Sequence, residues 1–170
     1  SFLRLIQRTT GRGRIVLGGN SPSRGYRLLV QVAGQKSPNL SLRFGQGVLD
    51  LLEQMPKPVI AAVNGYAFGG GCELALACHY RVVSDHPKTV LALPEVQIGL
   101  IPGAGGCNRL PRVVGLRAAL EMILSGKNVR ASNALKKGLV DEMAPAPILR
   151  DVAVAAARRL VEGGPAKRRP

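Results

Sequence analysis

Two glutamates in this chain lie beside glycine-rich turns, a setting suited to proton transfer. The first is Glu73, in the word Gly65-Tyr66-Ala67-Phe68-Gly69-Gly70-Gly71-Cys72-Glu73-Leu74. Three successive glycines between an apolar run and a helix permit close backbone approach and leave N–H groups pointing outward at the helix start. That geometry binds an anion or stabilises a developing oxyanion. Glu73 falls in the first turn of the helix, where the helix dipole stabilises a carboxylate even with no function attached. The second is Glu95, in Leu93-Pro94-Glu95-Val96-Gln97-Ile98-Gly99. A carboxylate among apolar neighbours tends to hold its proton to higher pH, which suits proton transfer near neutrality. Taken singly, the plainer reading of Glu95 is a solvent-facing residue where a loop enters a helix. Taken together, the two form an acid/base pair suited to adding or removing water next to a carbonyl. The following Gly103-Ala104-Gly105-Gly106 loop would admit a substrate closely.

The elements that must position these residues are legible from Leu42 onward. Leu42–Met55 has the period of an amphipathic helix, with Val48, Leu51, Leu52 and Met55 on one face and Pro56 as a stop. Val59–Val63 is an all-apolar run of strand length, as expected for a strand buried on both faces. The glycine turn leads into a helix over Cys72–Cys78. Further strands are expected at Tyr80–Ser84, Thr89–Leu93 and Leu139–Met143. Helices are expected within Gly103–Arg112, at Leu116–Leu124 and Ser132–Lys137, the last two closed by Gly126 and Gly138, and at Ile148–Val161. Strands alternating with helices indicate an α/β domain. Ahead of it, residues 1–41 form an irregular Arg/Gly/Ser-rich segment with short strand-like runs at Ile15–Leu17 and Arg27–Ala33. The domain then covers 42–162, and 163–170 reads as a basic tail or linker. No internal repeat is visible.

The chain has 170 residues, 46% of them hydrophobic, a mean hydropathy of +0.11 and a formal net charge of +14. That length and hydropathy fit one domain with a real core. A charge of +14 alone would point to a polyanion. Its distribution does not: residues 1–49 carry +8, residues 158–170 carry +4, and the long middle only +2. With 4% aromatic residues and no Trp, there is little to stack on bases, so nucleic acid is an unlikely partner. No apolar run is long enough to span a membrane, and no targeting segment is visible at Ser1-Phe2-Leu3-Arg4. The expected setting is the bacterial cytoplasm or, in a eukaryote, the peroxisomal or mitochondrial matrix. Cys72, Cys78 and Cys107 are odd in number and form no CxxC pair, and His79 and His86 lack zinc-ligand spacing with them. They read as buried or free thiols in a reducing compartment, with no metal site. His79 reads as a packing residue. Arg109 and Arg112 read as solvent-facing or locally paired, with contact to a coenzyme phosphate as the alternative.

Residues 42–144 resemble the enoyl-CoA hydratase/isomerase (crotonase) family. The resemblance rests on Lys57-Pro58-Val59-Ile60-Ala61-Ala62-Val63-Asn64-Gly65, Gly69-Gly70-Gly71-Cys72-Glu73-Leu74-Ala75, Pro94-Glu95-Val96-Gln97-Ile98-Gly99 and Ile101-Pro102-Gly103-Ala104-Gly105-Gly106. Ala134-Leu135-Lys136-Lys137-Gly138-Leu139-Val140-Asp141 adds to it. The phrase Ala77-Cys78-His79-Tyr80-Arg81-Val82 is most similar to the hydratase part of multifunctional fatty-acid β-oxidation proteins. A hydroxyacyl-CoA dehydrogenase domain or subunit is therefore a further partner, although this chain holds no dinucleotide-binding fingerprint.

The resemblance implies an α/β fold, a spiral of ββα units, assembled as homotrimers or hexamers. It implies syn addition of water across a trans-2-enoyl-CoA to give the 3-hydroxyacyl-CoA, with no cofactor beyond the CoA that the substrate carries. By the same resemblance, Glu73 helps activate the water, Glu95 exchanges the proton at the α-carbon, and the Gly70 N–H forms half of the oxyanion hole. Gly69, Gly71, Pro94 and Gly103 line the substrate. Glu at both positions favours a hydratase, since family isomerases work with a single catalytic carboxylate. The departure is at the front. The family's Ala-Gly-x-Asp loop, which supplies the second oxyanion N–H and much of the CoA pocket, has no counterpart word in residues 1–41, so the spiral is expected to be incomplete at its N-terminus. Truncation, frameshift and divergence all remain open as its origin. The alternatives to a hydratase are an enoyl-CoA isomerase and a non-catalytic member serving as a binding or assembly module.

Overall fold

The computed structural model describes the backbone over residues 38–163, with side chains from Gln46 onward. The strand-like runs at Ile15–Leu17 and Arg27–Ala33, and the tail beyond Gly163, lie outside those residues. The chain order is α1 (Pro38–Glu53), β1 (Ile60–Val63), β2 (Tyr66–Phe68), α2 (Gly70–Ala77), β3 (Tyr80–Ser84), β4 (Val90–Ala92) and a 3-10 helix at Pro94–Ile98. Then come α3 (Gly106–Val114), α4 (Leu116–Ser125), β5 (Val129–Arg130), α5 (Ala131–Lys136), β6 (Glu142–Ala144), a second 3-10 turn (Ala146–Ile148) and α6 (Leu149–Glu162).

Among the described residues, six strands form two three-stranded sheets, ordered β1-β3-β6 and β2-β4-β5. Strands β1 to β4 alternate between the sheets, so β1, β2, α2 and then β3, β4 with its helices make consecutive turns of a ββα spiral. The pairings β1–β3, β3–β6 and β2–β4 are parallel, and β5 closes the second sheet antiparallel. This is the α/β spiral expected from the sequence.

The first sheet shows why Val59–Val63 had to be apolar throughout. Ile60, Ala62 and Val82 pack against Leu149, Ala153 and Ala156 of α6. Their neighbours Ala61 and Val83 turn to the opposite face and join the α1/α2 core and the second-sheet core respectively. Side chains alternate across a strand, so a sheet covered on both faces needs apolar residues at every position. Helix α2 is enclosed in the same way: Ala75, Ala77 and Cys78 meet Leu49 and Leu52 of α1, while Cys72 and Leu76 face the second sheet. A helix apolar all round belongs in a core. Glu73 is the one charged residue in it.

The far end of α2 is fixed by a buried arginine. Arg81 donates to the carbonyls of Cys78 (2.8 Å) and Ala75 (3.4 Å), ion-pairs with Asp141 at 2.9 Å and reaches the Leu139 carbonyl at 3.1 Å. It satisfies carbonyls that a helix end leaves open, and its own charge is matched by the Asp141 carboxylate. His79 works beside it: its Nδ1 accepts from the Val59 N–H at 3.0 Å. That is the packing role expected of it.

Some expectations are corrected. The last strand runs Glu142–Ala144 instead of Leu139–Met143, because the Leu139 and Val140 N–H groups turn back to the Ala134 carbonyl and close α5. Helix α1 begins at Pro38, and its core face holds Leu49 and Leu52, leaving Leu51 exposed. Four short elements have no counterpart in the pattern reading: β2, β5, the 3-10 helix that carries Glu95 and the 3-10 turn at Ala146–Ile148. Gly126 ends α4 at φ 62°, and Gly138 follows α5 at φ 69°, as the closing glycines should.

Candidate active site

The site is built around the N-terminus of α2. Gly69 precedes the helix with φ 51° and ψ −121°, a conformation closed to residues with a Cβ. A Cβ there would also meet Glu95 Oε1 at 2.9 Å. The glycine therefore serves two ends: it turns the chain from β2 into α2 and lets the Glu95 carboxylate rest on the backbone. Its N–H donates to the Ala92 carbonyl at 3.0 Å, which anchors the turn to β4. The first N–H groups of a helix have no partner within it; the first intrahelical bond here is from Glu73 to the Gly69 carbonyl, so those of Gly70, Gly71 and Cys72 precede it. A Cβ on Gly71 would meet nothing within 4 Å, so this glycine borders open space.

Glu73 is buried, with 3% of its surface exposed. Its Oε1 accepts from the N–H of Ala104 at 2.8 Å and of Gly106 at 2.9 Å. Burial pushes the Glu73 carboxyl above its ordinary range. The Gly106 and Ala104 N–H groups oppose that, Glu95 adds to it, and Arg109 counters it. The donors come from the Gly103-Ala104-Gly105-Gly106 loop, which enters α3 through Gly105 at φ 105°. A side chain on Gly105 would collide with the Arg109 guanidinium.

Glu95 has a different footing. Pro94 starts the 3-10 helix, and none of its residues is buried. The segment is fastened by Gln97, which donates to the Gly126 carbonyl at 3.1 Å. Glu95 Oε2 is buried and has no hydrogen-bond partner among the described residues. A polar atom in that state is uncommon and calls for a physical reason. Burial pushes up the thiols of Cys72, to about 12, and of Cys107, and both carboxylates add to each shift. They act on one neighbourhood.

The structure thus brings Gly69, Gly70, Gly71, Glu73, Pro94 and Glu95 together at one helix end. Gly103 lies in the loop that holds Glu73, with its carbonyl accepting from Gln46 Nε2 at 2.5 Å. Arg109 takes the paired one of its expected settings: it is buried and pairs with Asp50 and with Glu53 (2.9 Å) of α1. Arg112 is exposed. Sequence reasoning did not find the Ala104 and Gly106 donors, although the Gly-Ala-Gly-Gly word was their signal. Nor did it find Gln97. No group of three or more His, Cys, Asp or Glu among the described residues could hold a metal, and none of their helices is long and apolar enough to cross a membrane.

A sequence profile of the enoyl-CoA hydratase/isomerase family matches residues 15–169. The chain belongs to the enoyl-CoA hydratase/isomerase family. Solved structures agree with that placement. An enoyl-CoA hydratase from Bacillus anthracis is 31% identical with a TM-score of 0.78, the match covering 96% of this chain and 66% of that one. Pseudomonas aeruginosa DspI is 32% identical with a TM-score of 0.79, covering 96% and 64%. An enoyl-CoA hydratase from Mycobacterium tuberculosis H37Rv is 40% identical over 66% of this chain and 45% of its own, with a TM-score of 0.60. The chain thus spans 45–66% of the length of these proteins.

Proposed function

We propose that this chain carries the catalytic core of an enoyl-CoA hydratase, adding water syn across a trans-2-enoyl-CoA to give the 3-hydroxyacyl-CoA in fatty-acid β-oxidation. The observation that carries the reading is Glu95 Oε2, buried without a hydrogen-bond partner among the described residues, beside the start of α2. A substrate or a reacting water would give that oxygen its missing partner. The thioester carbonyl would lie at the α2 N-terminus, where the Gly70 N–H and the helix dipole stabilise the enolate oxygen. Removing one such donor typically costs about 3 kcal/mol of transition-state stabilisation. Gly69, Gly71 and Pro94 border this position, and Gly103 belongs to the loop at its side.

Glu73, anchored through Oε1, takes the proton of the attacking water as its oxygen bonds to the β-carbon. The double-bond electrons move to the α-carbon and thioester, and Glu95 delivers a proton to the α-carbon. One water is consumed, and the proton taken by Glu73 balances the one given by Glu95. Two carboxylates at one helix end favour hydration over isomerisation, which needs one group to move a proton between carbons. A homo-oligomer and a dehydrogenase acting on the 3-hydroxyacyl product are part of the same proposal, resting on the sequence resemblance. The non-catalytic alternative draws on the absence of an Ala-Gly-x-Asp word from residues 1–41.

The test follows loss of the enoyl thioester absorbance of crotonyl-CoA in parallel with conversion of a 3-enoyl-CoA. Hydration well above isomerisation is expected. Isomerisation alone would overturn the hydratase assignment, and a folded chain inert toward both would favour the non-catalytic reading.

A further inference from the structure

The loop that holds Glu73 is itself held from outside the site, by α1. Gln46 donates to the Gly103 carbonyl, and the N–H of the same peptide unit, on Ala104, donates to Glu73. Arg109 Nη1 donates to the Ala104 carbonyl at 3.0 Å, while its Nε and Nη2 reach Glu53 and Asp50. The guanidinium is buried, whereas the side chains of Asp50 and Glu53 are 56% and 41% exposed. Arginine's planar fork suits such a three-way bridge, and a lysine cannot reproduce it.

We propose that Arg109 is a positioning residue: by joining Asp50 and Glu53 of α1 to the Ala104 carbonyl, it locks the loop that presents two N–H groups to Glu73. The charged groups acting on Glu73 are Glu95 on the 3-10 helix and Arg109 on α3, the first working against ionisation and the second for it. Asp50 and Glu53 face Arg109 and partly neutralise it. Helix α1 therefore tunes the site through a charge it does not itself carry.

This proposal rests on reading Glu73 as part of the reaction site, so its test does not depend on turnover. Glu73 is titrated in the free protein by carboxyl 13C NMR, with its signal assigned by its loss in Glu73→Gln. Arg109→Met should move the Glu73 titration upward. Asp50→Asn combined with Glu53→Gln keeps acceptors for Arg109 but frees its charge, and should move the titration downward. Merely structural bridging would loosen the loop in both variants and move both upward. Arg109→Lys, which retains charge, should fall between wild type and Arg109→Met. With crotonyl-CoA, Arg109→Met should lose about threefold or more of kcat/KM on the acid limb and little at the pH optimum. Shifts of the same sign in the two charge variants, or an unmoved Glu73 in Arg109→Met, would overturn the proposal. If Arg109→Met does not fold, the exposed Asp50/Glu53 pair decides the matter alone. An inert wild type with the opposite titration shifts would sink the hydratase reading and leave this one standing.

Discussion

The two glutamates stand on unlike ground. Glu73 belongs to a helix enclosed by α1 and both sheets, its carboxylate gripped by two N–H groups of a loop that α1 clamps. Glu95 rides on a 3-10 helix with no buried residue, fastened by Gln97 to Gly126 and resting on the bare α-carbon of Gly69. Its outward neighbours Val96 and Ile98 are exposed. The core thus fixes one carboxylate, and a few point contacts fix the other. A base that must hold a water in place gains from the first arrangement. In the role proposed for Glu95, an acid that must meet a substrate carbon gains from an oxygen that no group among the described residues occupies.

The contrast is sharpest at Gly69. Gly69→Ala places a Cβ in a backbone conformation that disfavours it and against Glu95 Oε1, without touching the Glu73 donors. Loss of about a hundredfold in kcat with crotonyl-CoA is expected, since small misplacement of a reacting group can cost that much. The backbone strain should cost about 1–3 kcal/mol in denaturant unfolding. An unchanged kcat would show that Glu95 does not depend on the close approach.

A smaller effect probes the Glu73 side. Because its folded-state pKa lies above the ordinary 4.5, the Glu73 contribution to stability is fully present below that value and is lost as pH rises through the raised one. Glu73→Gln keeps an oxygen for the Ala104 and Gly106 N–H groups and removes the buried charge. Its Tm should match wild type near pH 4 and exceed it by about 2–4 °C at pH 8. Equal pH dependence in the two proteins would mean that burial does not burden this carboxylate.

How much of this was legible in the sequence differs between the same two regions. Val59–Val63 and the triple glycine before Glu73 were readable because burial on both faces and a tight helix entrance each leave a local mark. The 3-10 helix under Glu95 left only Pro94 as a cue. Its anchor, Gln97 to Gly126, joins residues far apart in the chain, and periodicity cannot see such a contact. Tyr66–Phe68 escaped notice because three residues with an exposed tyrosine make no strand pattern, yet they form the strand that delivers Gly69. The choice between exposed and paired settings for Arg109 was hidden for a similar reason: an arginine is rarely buried unless paired, and its partners lie on α1. Within α1 the apolar period admits two nearby faces, and packing against α2 selected Leu49 over Leu51.

The most direct measurement follows crotonyl-CoA in deuterated water with wild type and Glu95→Gln side by side, reading both hydration and deuterium at the product's α-carbon. Wild type should form 3-hydroxybutyryl-CoA deuterated at that carbon, and Glu95→Gln should lose about a hundredfold or more of the rate while keeping its fold. A Glu95→Gln variant that hydrates and deuterates as fast as wild type would contradict the assignment of Glu95 as the proton donor at the α-carbon.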